Sequence, residues 1–413
     1  MLLIGGGRMF IESPRYTERF GVVRINGVQR VIALDSGFKS ELPPHDVMGV
    51  MKIDEDTIKH FEDKMAVVIP IKDEKLKLFE GVISGVPHDC LIIVVSDSQQ
   101  EGIDRFKMEK DALNQICRYT MRNAFIVHQK DPIIADAARQ AGYNDILGED
   151  GLIRDGKSEA MVIGLLMAKV ARKEYVGFVD ADNYFPGAVL EYVRNFAAGF
   201  SLAWSPYSMV RILWHYKPKI SGGIYFKKWG RVSETTNKCL NDLIFSKTDF
   251  ETDVIKTGNA GEHAISMKLA ELLPYASGYA VEPGELVYLF ESFSGILPGT
   301  DHEAVEKGID LFQIETRNPH MHEERGIQHL KRMLTEGLAT IYHSPLCGEG
   351  TKKLILRELV NQGALNGGGK PPVPHLNAPI GKIDSAKFMN AIKEHLDAFY
   401  ALHEENKEFI SSR

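Results

Sequence analysis

Residues 178–183 read FVDADN, so Asp180 and Asp182 leave an apolar run separated by a single alanine. At positions i and i+2 of extended chain both carboxylates point to one face. At a strand exit both can reach one divalent cation, or a cation and a ribose. Hard oxygen ligands placed there could hold the cation against a nucleotide diphosphate. The same residue types also suit a solvated turn, so the surrounding elements have to decide.

Further candidates lie far away in the chain. His320 and His322, in ETRNPHMHEE, could complete an octahedral site with carboxylate and pyrophosphate oxygens, because imidazole suits Mn, Fe or Zn better than Mg. Their spacing is not that of an HExxH zinc helix, and a solvated loop is the alternative. In HQKDP, Lys130 could meet a phosphate and Asp131 a sugar hydroxyl, unless the two form a surface ion pair; Pro132 is placed to open a helix. Glu74, closing PIKDE, is placed for a base or ribose. Arg211, Arg231, Ser233, Thr235 and Thr236 could cradle an anionic acceptor or simply be solvated.

The elements that would position these groups form a series. KMAVVIP, CLIIVVSDS, AFIVHQKD and YVGFVDAD are apolar runs suited to buried parallel strands, each delivering polar residues at its C-terminal end. In open α/β sheets that edge is where ligands bind. GKSEAMVIGLLMAKVARK, from Gly156, predicts a long buried helix whose first turn carries Lys157 and Ser158, a phosphate-friendly end. It is not read as a P-loop, and an ATPase is not expected. Near the N-terminus, RFGVVRI and QRVIALD flank Asn26-Gly27, which predicts a hairpin. GNAGEHAISMKLAELL is read as a loop entering a helix, with Glu262 and His263 at its entrance, and SGGIYFKKWGRVSETT as a binding loop.

The 413 residues suffice for a substantial α/β unit with additions. With 44% hydrophobic and 25% charged residues and a net charge of -7, the chain reads as a soluble globular protein. No Lys/Arg stripe is present to neutralise a nucleic-acid backbone. The four cysteines, Cys90, Cys117, Cys239 and Cys347, are far apart, which argues against a disulfide framework or a thiolate zinc site and fits a reducing cytoplasm. No apolar run approaches the roughly 18 residues of a membrane span.

Taken together, PIKDE, the SDS ending of the second strand, HQKDP, GKSEAM, VDADN, GEHA and NPHMHE resemble the mannosyl-3-phosphoglycerate synthases, retaining sugar-nucleotide glycosyltransferases. The likeness spans roughly residues 60 to 325 and implies a GT-A-type, Rossmann-like α/β fold. That fold would occupy residues 61–325, with a small β-rich N-terminal addition over 1–60 and a mainly helical region over 326–413. On this chain the resemblance makes Asp180 and Asp182 the metal-binding pair, with Asp182 the preferred direct ligand. His322 is the preferred histidine, with His320 in reserve. Pro70 and Glu74 fall to the nucleotide-binding edge, and Asp97, Lys130 and Asp131 to the guanosine side. Lys157 lies beside the donor, and Glu262 near the transferred sugar. The loop from Gly222 to Thr236, with Arg231 and including Thr235, is the expected place for phosphoglycerate. Asp182, Glu262 and Lys157 are the residues expected to act in catalysis.

The implied reaction transfers mannose from GDP-mannose to 3-phospho-D-glycerate with retained configuration, using Mg2+ or Mn2+, with Co2+ or Zn2+ as further candidates. A separate phosphatase would act on the product. A homodimer is a further expectation, and no nucleic-acid or membrane partner is expected. Glucosyl-3-phosphoglycerate synthesis, or another metal-dependent GT-A transfer, is the nearest rival. A nucleotidyltransferase would release pyrophosphate rather than GDP, and a noncatalytic sugar-binding module would bind without turnover.

Overall fold

The computed structural model describes residues 7–34, 49–214, 217–220, 224–227, 231–298, 301–321 and 326–393. Five N-terminal strands come first: β1 (Arg8–Glu12), β2 (Thr17–Phe20), β3 (Val23–Asn26), β4 (Gln29–Ala33) and β5 (Val50–Asp54). They are followed by β6 (Met65–Ile71), β7 (Leu91–Ser96), β8 (Ala124–His128) and β9 (Tyr175–Phe178), the four apolar runs of the sequence. These four pair in parallel in the order β8-β7-β6-β9. Next come β10 (Ser208–Leu213), the hairpin β11 (Lys217–Ile220) and β12 (Ile224–Lys227), β13 (His263–Ser266), β14 (Tyr275–Ala276), β15 (Ile309–Glu315) and β16 (Leu376–Asn377).

Among the described residues twelve of these strands form one mixed sheet, with the path β5-β1-β4-β15-β10-β13-β9-β6-β7-β8. β13 runs antiparallel between β9 and β10, whereas β10 and β15 are parallel. The N-terminal strands extend this sheet rather than standing beside it, since β3 and β4 both pair with β15.

Both faces of the sheet are covered, which is why β6 and β7 read as unbroken apolar runs. Ala66, Val68, Leu91, Ile93 and Val95 enter one core. Their alternates Met65, Val67, Ile69, Ile92 and Val94 enter the other, as a side-chain period of two requires. The predicted helix forms over Lys157–Val170 and packs on the first face; Pro186–Leu202 packs on the second. The C-terminal region is helical over Ile327–His343, Glu349–Asn361 and Ser385–Lys393. Among the described residues no helix is long and apolar enough to cross a membrane.

Two local expectations are corrected. Asn26-Gly27 makes no hairpin, because β3 and β4 run on in one direction along β15. The hairpin joins β2 to β3 through Gly21-Val22, where Gly21 adopts φ +65°. A Cβ on Gly21 would also fall 2.4 Å from the Ser294 backbone, so close approach and turn geometry both demand glycine there. The segment around Glu262 does not lead into a long helix either. His263–Ser266 is a central strand, and the helix after it spans only Met267–Ala270.

Candidate functional site

β6 and β9 pair as far as Val68 and Phe178, and Val179 N–H still donates to Val68 O. Pro70 lies beyond that point and carries no donor, which is tolerated because no partner on that side needs one. Asp180 and Asp182 follow at the end of β9. On its other side β13 sets His263 opposite Phe178, so Glu262 comes beside the strand end that carries the acidic pair.

Lys157 joins these elements. From the first turn of its helix, Nζ lies 2.6 Å from Asp180 Oδ1 and 2.9 Å from Glu282 Oε1. Burial alone would lower the ammonium pKa; the two carboxylates outweigh it and hold Lys157 above the ordinary lysine range. Glu282 begins the helix Val281–Phe293, whose next turn carries Glu285. Glu285 meets Arg211 Nη1 at 3.0 Å and His263 Nε2 at 3.1 Å, all three side chains being fully buried. Burial would raise the Glu285 carboxyl, but His263 and Arg211 bring it below its usual range. Arg211 also donates to the carbonyls of Thr257 and Glu282 at 3.0 and 2.8 Å. Arg211 is therefore a brace of the loop before β13, not a cradle for an anionic acceptor.

A second cluster surrounds Glu262, which is wholly buried. Trp214 Nε1 donates to its Oε2 at 3.0 Å, and His320 Nδ1 lies 3.7 Å from its Oε1. The indole stacks on the imidazole, with centroids 4.2 Å apart and an interplanar angle of 14°. Tyr192 Oη lies 3.2 Å from His320 Nδ1 and accepts from Asn183 Nδ2 at 3.1 Å. His320 is 3% exposed, so it does not sit in a solvated loop. Tyr184 N–H donates to Met321 O at 3.0 Å, which brings DADNY and NPHM side by side. Glu191 holds that second segment by accepting from the backbone of Arg317 and Asn318 at 2.6 and 2.8 Å. His322 lies outside the described residues.

Other expected groups have local partners. Asp97 receives Lys72 Nζ at 2.5 Å, and Arg105 Nη1 donates to Glu74 O at 3.3 Å. Lys130 Nζ donates to Ile153 O at 2.6 Å and pairs with Asp155 at 3.1 Å. Asp131 caps the helix Pro132–Gln140 by accepting from Ile133 N–H, with Pro132 in its first turn as the sequence predicts. The expected Gly222–Thr236 loop is corrected. Ile224–Lys227 is a strand and a helix spans Arg231–Thr248, burying Thr235 and Thr236; Gln362 Nε2 donates to Thr235 Oγ1 at 2.8 Å. Gly222 lies outside the described residues.

Gly151–Ser158 spells GxxxxGKS, so spacing does not exclude a P-loop. Its context does: Leu147 and Ile153 form an antiparallel bridge where a P-loop needs an incoming strand, and Lys157 is held between two carboxylates.

Among the described residues no three acidic, histidine or cysteine groups cluster as a ready metal site. Gly261 packs directly against the acidic pair: a Cβ there would fall 2.7 Å from Asp180 Oδ2, closer than the carboxylate tolerates without shifting. The two carboxylates are hard oxygen donors of the kind a divalent cation takes.

Strand-end carboxylates, a paired lysine and a buried glutamate gathered at one edge of a mixed α/β sheet suit an enzyme that takes a nucleotide-linked donor. The family model described as mannosyl-3-phosphoglycerate synthase matches residues 13–392. A mannosyl-3-phosphoglycerate synthase from Pyrococcus furiosus is 47% identical over 93% of this chain and 97% of its own. One from Aeropyrum pernix is 36% identical over 95% and 99%. The chain belongs to the mannosyl-3-phosphoglycerate synthase family of GT-A-like glycosyltransferases. A solved glucosyl-3-phosphoglycerate synthase from Mycobacterium tuberculosis, in complex with Mn2+, UDP and glucosyl-3-phosphoglycerate, is similar at TM-score 0.46 and 19% identity. That similarity covers 70% of this chain and 84% of the other.

Sequence reasoning missed Glu282, Trp214, Tyr192 and Glu191. None carries a motif, and each acts through a partner distant in sequence.

Proposed function

We propose that this protein transfers mannose from GDP-mannose to 3-phospho-D-glycerate with retained configuration, giving mannosyl-3-phosphoglycerate and GDP. The names of the two relatives support the acceptor and product. The observation that carries the reading is Lys157 held between Asp180 and Glu282 at the edge where Glu262 also arrives.

In this reading Asp182 and Asp180 hold Mg2+ or Mn2+, with His322 and then His320 as the imidazole ligands; Co2+ or Zn2+ would fit the same donors. When bound, the cation supplies positive charge for the departing diphosphate. Lys157 adds a fixed ammonium whose position Glu282 maintains, so little reorganisation is needed as charge develops. Glu262, fixed by Trp214, orients the sugar and steadies positive charge on it. A double displacement would need a carboxylate under the anomeric carbon. Front-face return is preferred, with a departing phosphate oxygen taking the acceptor proton. Pro70, Glu74 and Asp97 line the nucleotide side, flanked by Lys130 and Asp131, and Arg231 at its helix start meets the acceptor's anionic group. The enzyme works in the cytoplasm beside a separate phosphatase, as a homodimer.

Purified protein given GDP-mannose, 3-phosphoglycerate and Mg2+ or Mn2+ should yield a product identifiable by mass and of retained anomeric configuration by NMR. Product should vanish with Asp182→Ala or a chelator. Absence of GDP and product, with GDP-glucose or another donor reacting instead, would overturn the mannosyl assignment.

A further inference from the structure

The Glu109 carboxylate, 2% exposed on the helix Arg105–Thr120, lies beneath the ends of β6 and β7. Oε1 accepts from Ser98 Oγ at 2.6 Å and Oε2 from Ser96 Oγ at 2.7 Å. Ser98 Oγ in turn accepts from Asp73 N–H at 2.7 Å, and Asp73 Oδ1 accepts from Gln99 N–H at 3.0 Å. His128 Nε2 lies 2.9 Å from Ser98 O, which ties in the end of β8. One buried carboxylate thus closes a ring of hydrogen bonds around the loops that follow two adjacent parallel strands.

Asp73 adopts φ +54°, a left-handed conformation that costs a non-glycine residue about 1–3 kcal/mol unless its surroundings fix it. Ser98 and Gln99 hold it on one side and Arg105, whose Nη1 donates to Asp73 O at 3.4 Å, on the other; Ser98 is in turn fixed by Glu109. Burial pushes the Glu109 carboxyl up, with the two serine hydroxyls partly opposing. Among the described residues its hydrogen bonds come from serine hydroxyls rather than from a basic side chain. Packing alone would be served as well by an apolar side chain.

We propose that Glu109 is a positioning residue for the nucleotide half of the donor site. It holds Asp97, between Ser96 and Ser98, and the Asp73-Glu74 turn in the shape that receives the nucleoside. The inference rests on the proposed function only in taking this sheet edge as the place of the GDP moiety.

The test compares full-length wild type with Glu109→Ala, Glu109→Gln and Ser98→Ala, measuring KM for each substrate, kcat, and GDP binding by calorimetry. Leaving two buried hydroxyls and a strained turn unsupported should raise the GDP-mannose KM and the GDP Kd about tenfold in Glu109→Ala. The acceptor KM and kcat should stay within about twofold. Glu109→Gln, which can accept from one serine and donate to the other, should recover most of the loss. An unchanged donor KM, or a rise shared by the acceptor KM with a matching fall in kcat, would overturn the role. Should Glu109→Ala not fold, Ser98→Ala carries the comparison, with an expected rise of about threefold. If wild type binds GDP but transfers another sugar, the proposed reaction falls and the variant-to-wild-type ratio of GDP Kd still decides this inference. If wild type binds no GDP, both are overturned.

Discussion

Lys157 Nζ and Asp180 Oδ1 stand 2.6 Å apart, joining the start of a buried helix to the first carboxylate beyond β9. Glu282 Oε1 takes the same ammonium at 2.9 Å, so one cation serves two carboxylates. Removing it in Lys157→Met leaves both without that charge. Loss of kcat by about 10²-fold is expected from the missing electrostatic stabilisation. A partly buried pair stripped of its cation should also lower stability, by about 3 kcal/mol at most because Asp180 keeps some solvent contact. Because the lysine pKa is raised, the stabilisation is complete below its unfolded value near 10.4 and is lost only as pH rises through the higher folded value. Urea midpoints of wild type and Lys157→Met should therefore differ by a constant amount from pH 6 to pH 9; a gap that closes within that window would contradict the pairing.

Trp214 fixes Glu262 by a hydrogen bond and His320 by stacking. Trp214→Phe keeps a ring and deletes the donor. A buried carboxylate oxygen losing this donor costs about 1–3 kcal/mol, so kcat should fall by about 5- to 100-fold while donor binding changes little. Combined with Glu262→Gln, the loss should be smaller than the product of the single effects, as expected for residues acting through one contact. Full additivity in steady-state kinetics would mean that the indole acts elsewhere.

The four parallel strands and the polar residues at their ends were legible because each follows an apolar run buried on both faces, a pattern local to the sequence. β13 was not. HAIS is a four-residue segment next to MKLAELL, and its strand state comes from pairing with β9 and β10 on either side. Thr235 and Thr236 looked like loop hydroxyls because glycine-rich sequence precedes them, but their helix packs against the C-terminal helices, where Gln362 meets Thr235. The Asn26-Gly27 signal was outweighed by β15, which offers both β3 and β4 a parallel partner. Glu282 and Glu191 had no local signature at all: each acts on residues more than a hundred positions away, Lys157 and Asn318 respectively.

Gly261 precedes Glu262 and packs against Asp180. In Gly261→Ala the new methyl carbon would lie 2.7 Å from Asp180 Oδ2 and 3.4 Å from Lys157 Nζ. The carboxylate has to shift, and displacements of this order cost up to about 10²-fold where geometry matters. Mn2+ affinity read by electron paramagnetic resonance should weaken by about tenfold, with thermal stability changing far less. Unaltered Mn2+ binding would separate Asp180 from the cation and leave Asp182 as the acidic ligand.

Glu62 gives a prediction for folding rather than catalysis. It lies on the helix Glu55–Asp63, 3% exposed, and burial raises its pKa to about 7, with Arg194 and Lys59 opposing and Glu55 and Asp89 reinforcing the shift. Below about pH 4 both folded and unfolded chains hold this proton. Between the unfolded value and about 7 the folded chain holds it and the unfolded chain has lost it, so stability falls as pH rises. The shift corresponds to roughly 3 kcal/mol, reached near pH 7 and level above it. Glu62→Gln never ionises, so its urea midpoint at pH 8 should exceed that of wild type, and the difference should shrink toward zero at pH 4. A variant less stable than wild type at pH 8 would mean that the folded chain keeps Glu62 ionised, with Arg194 outweighing burial.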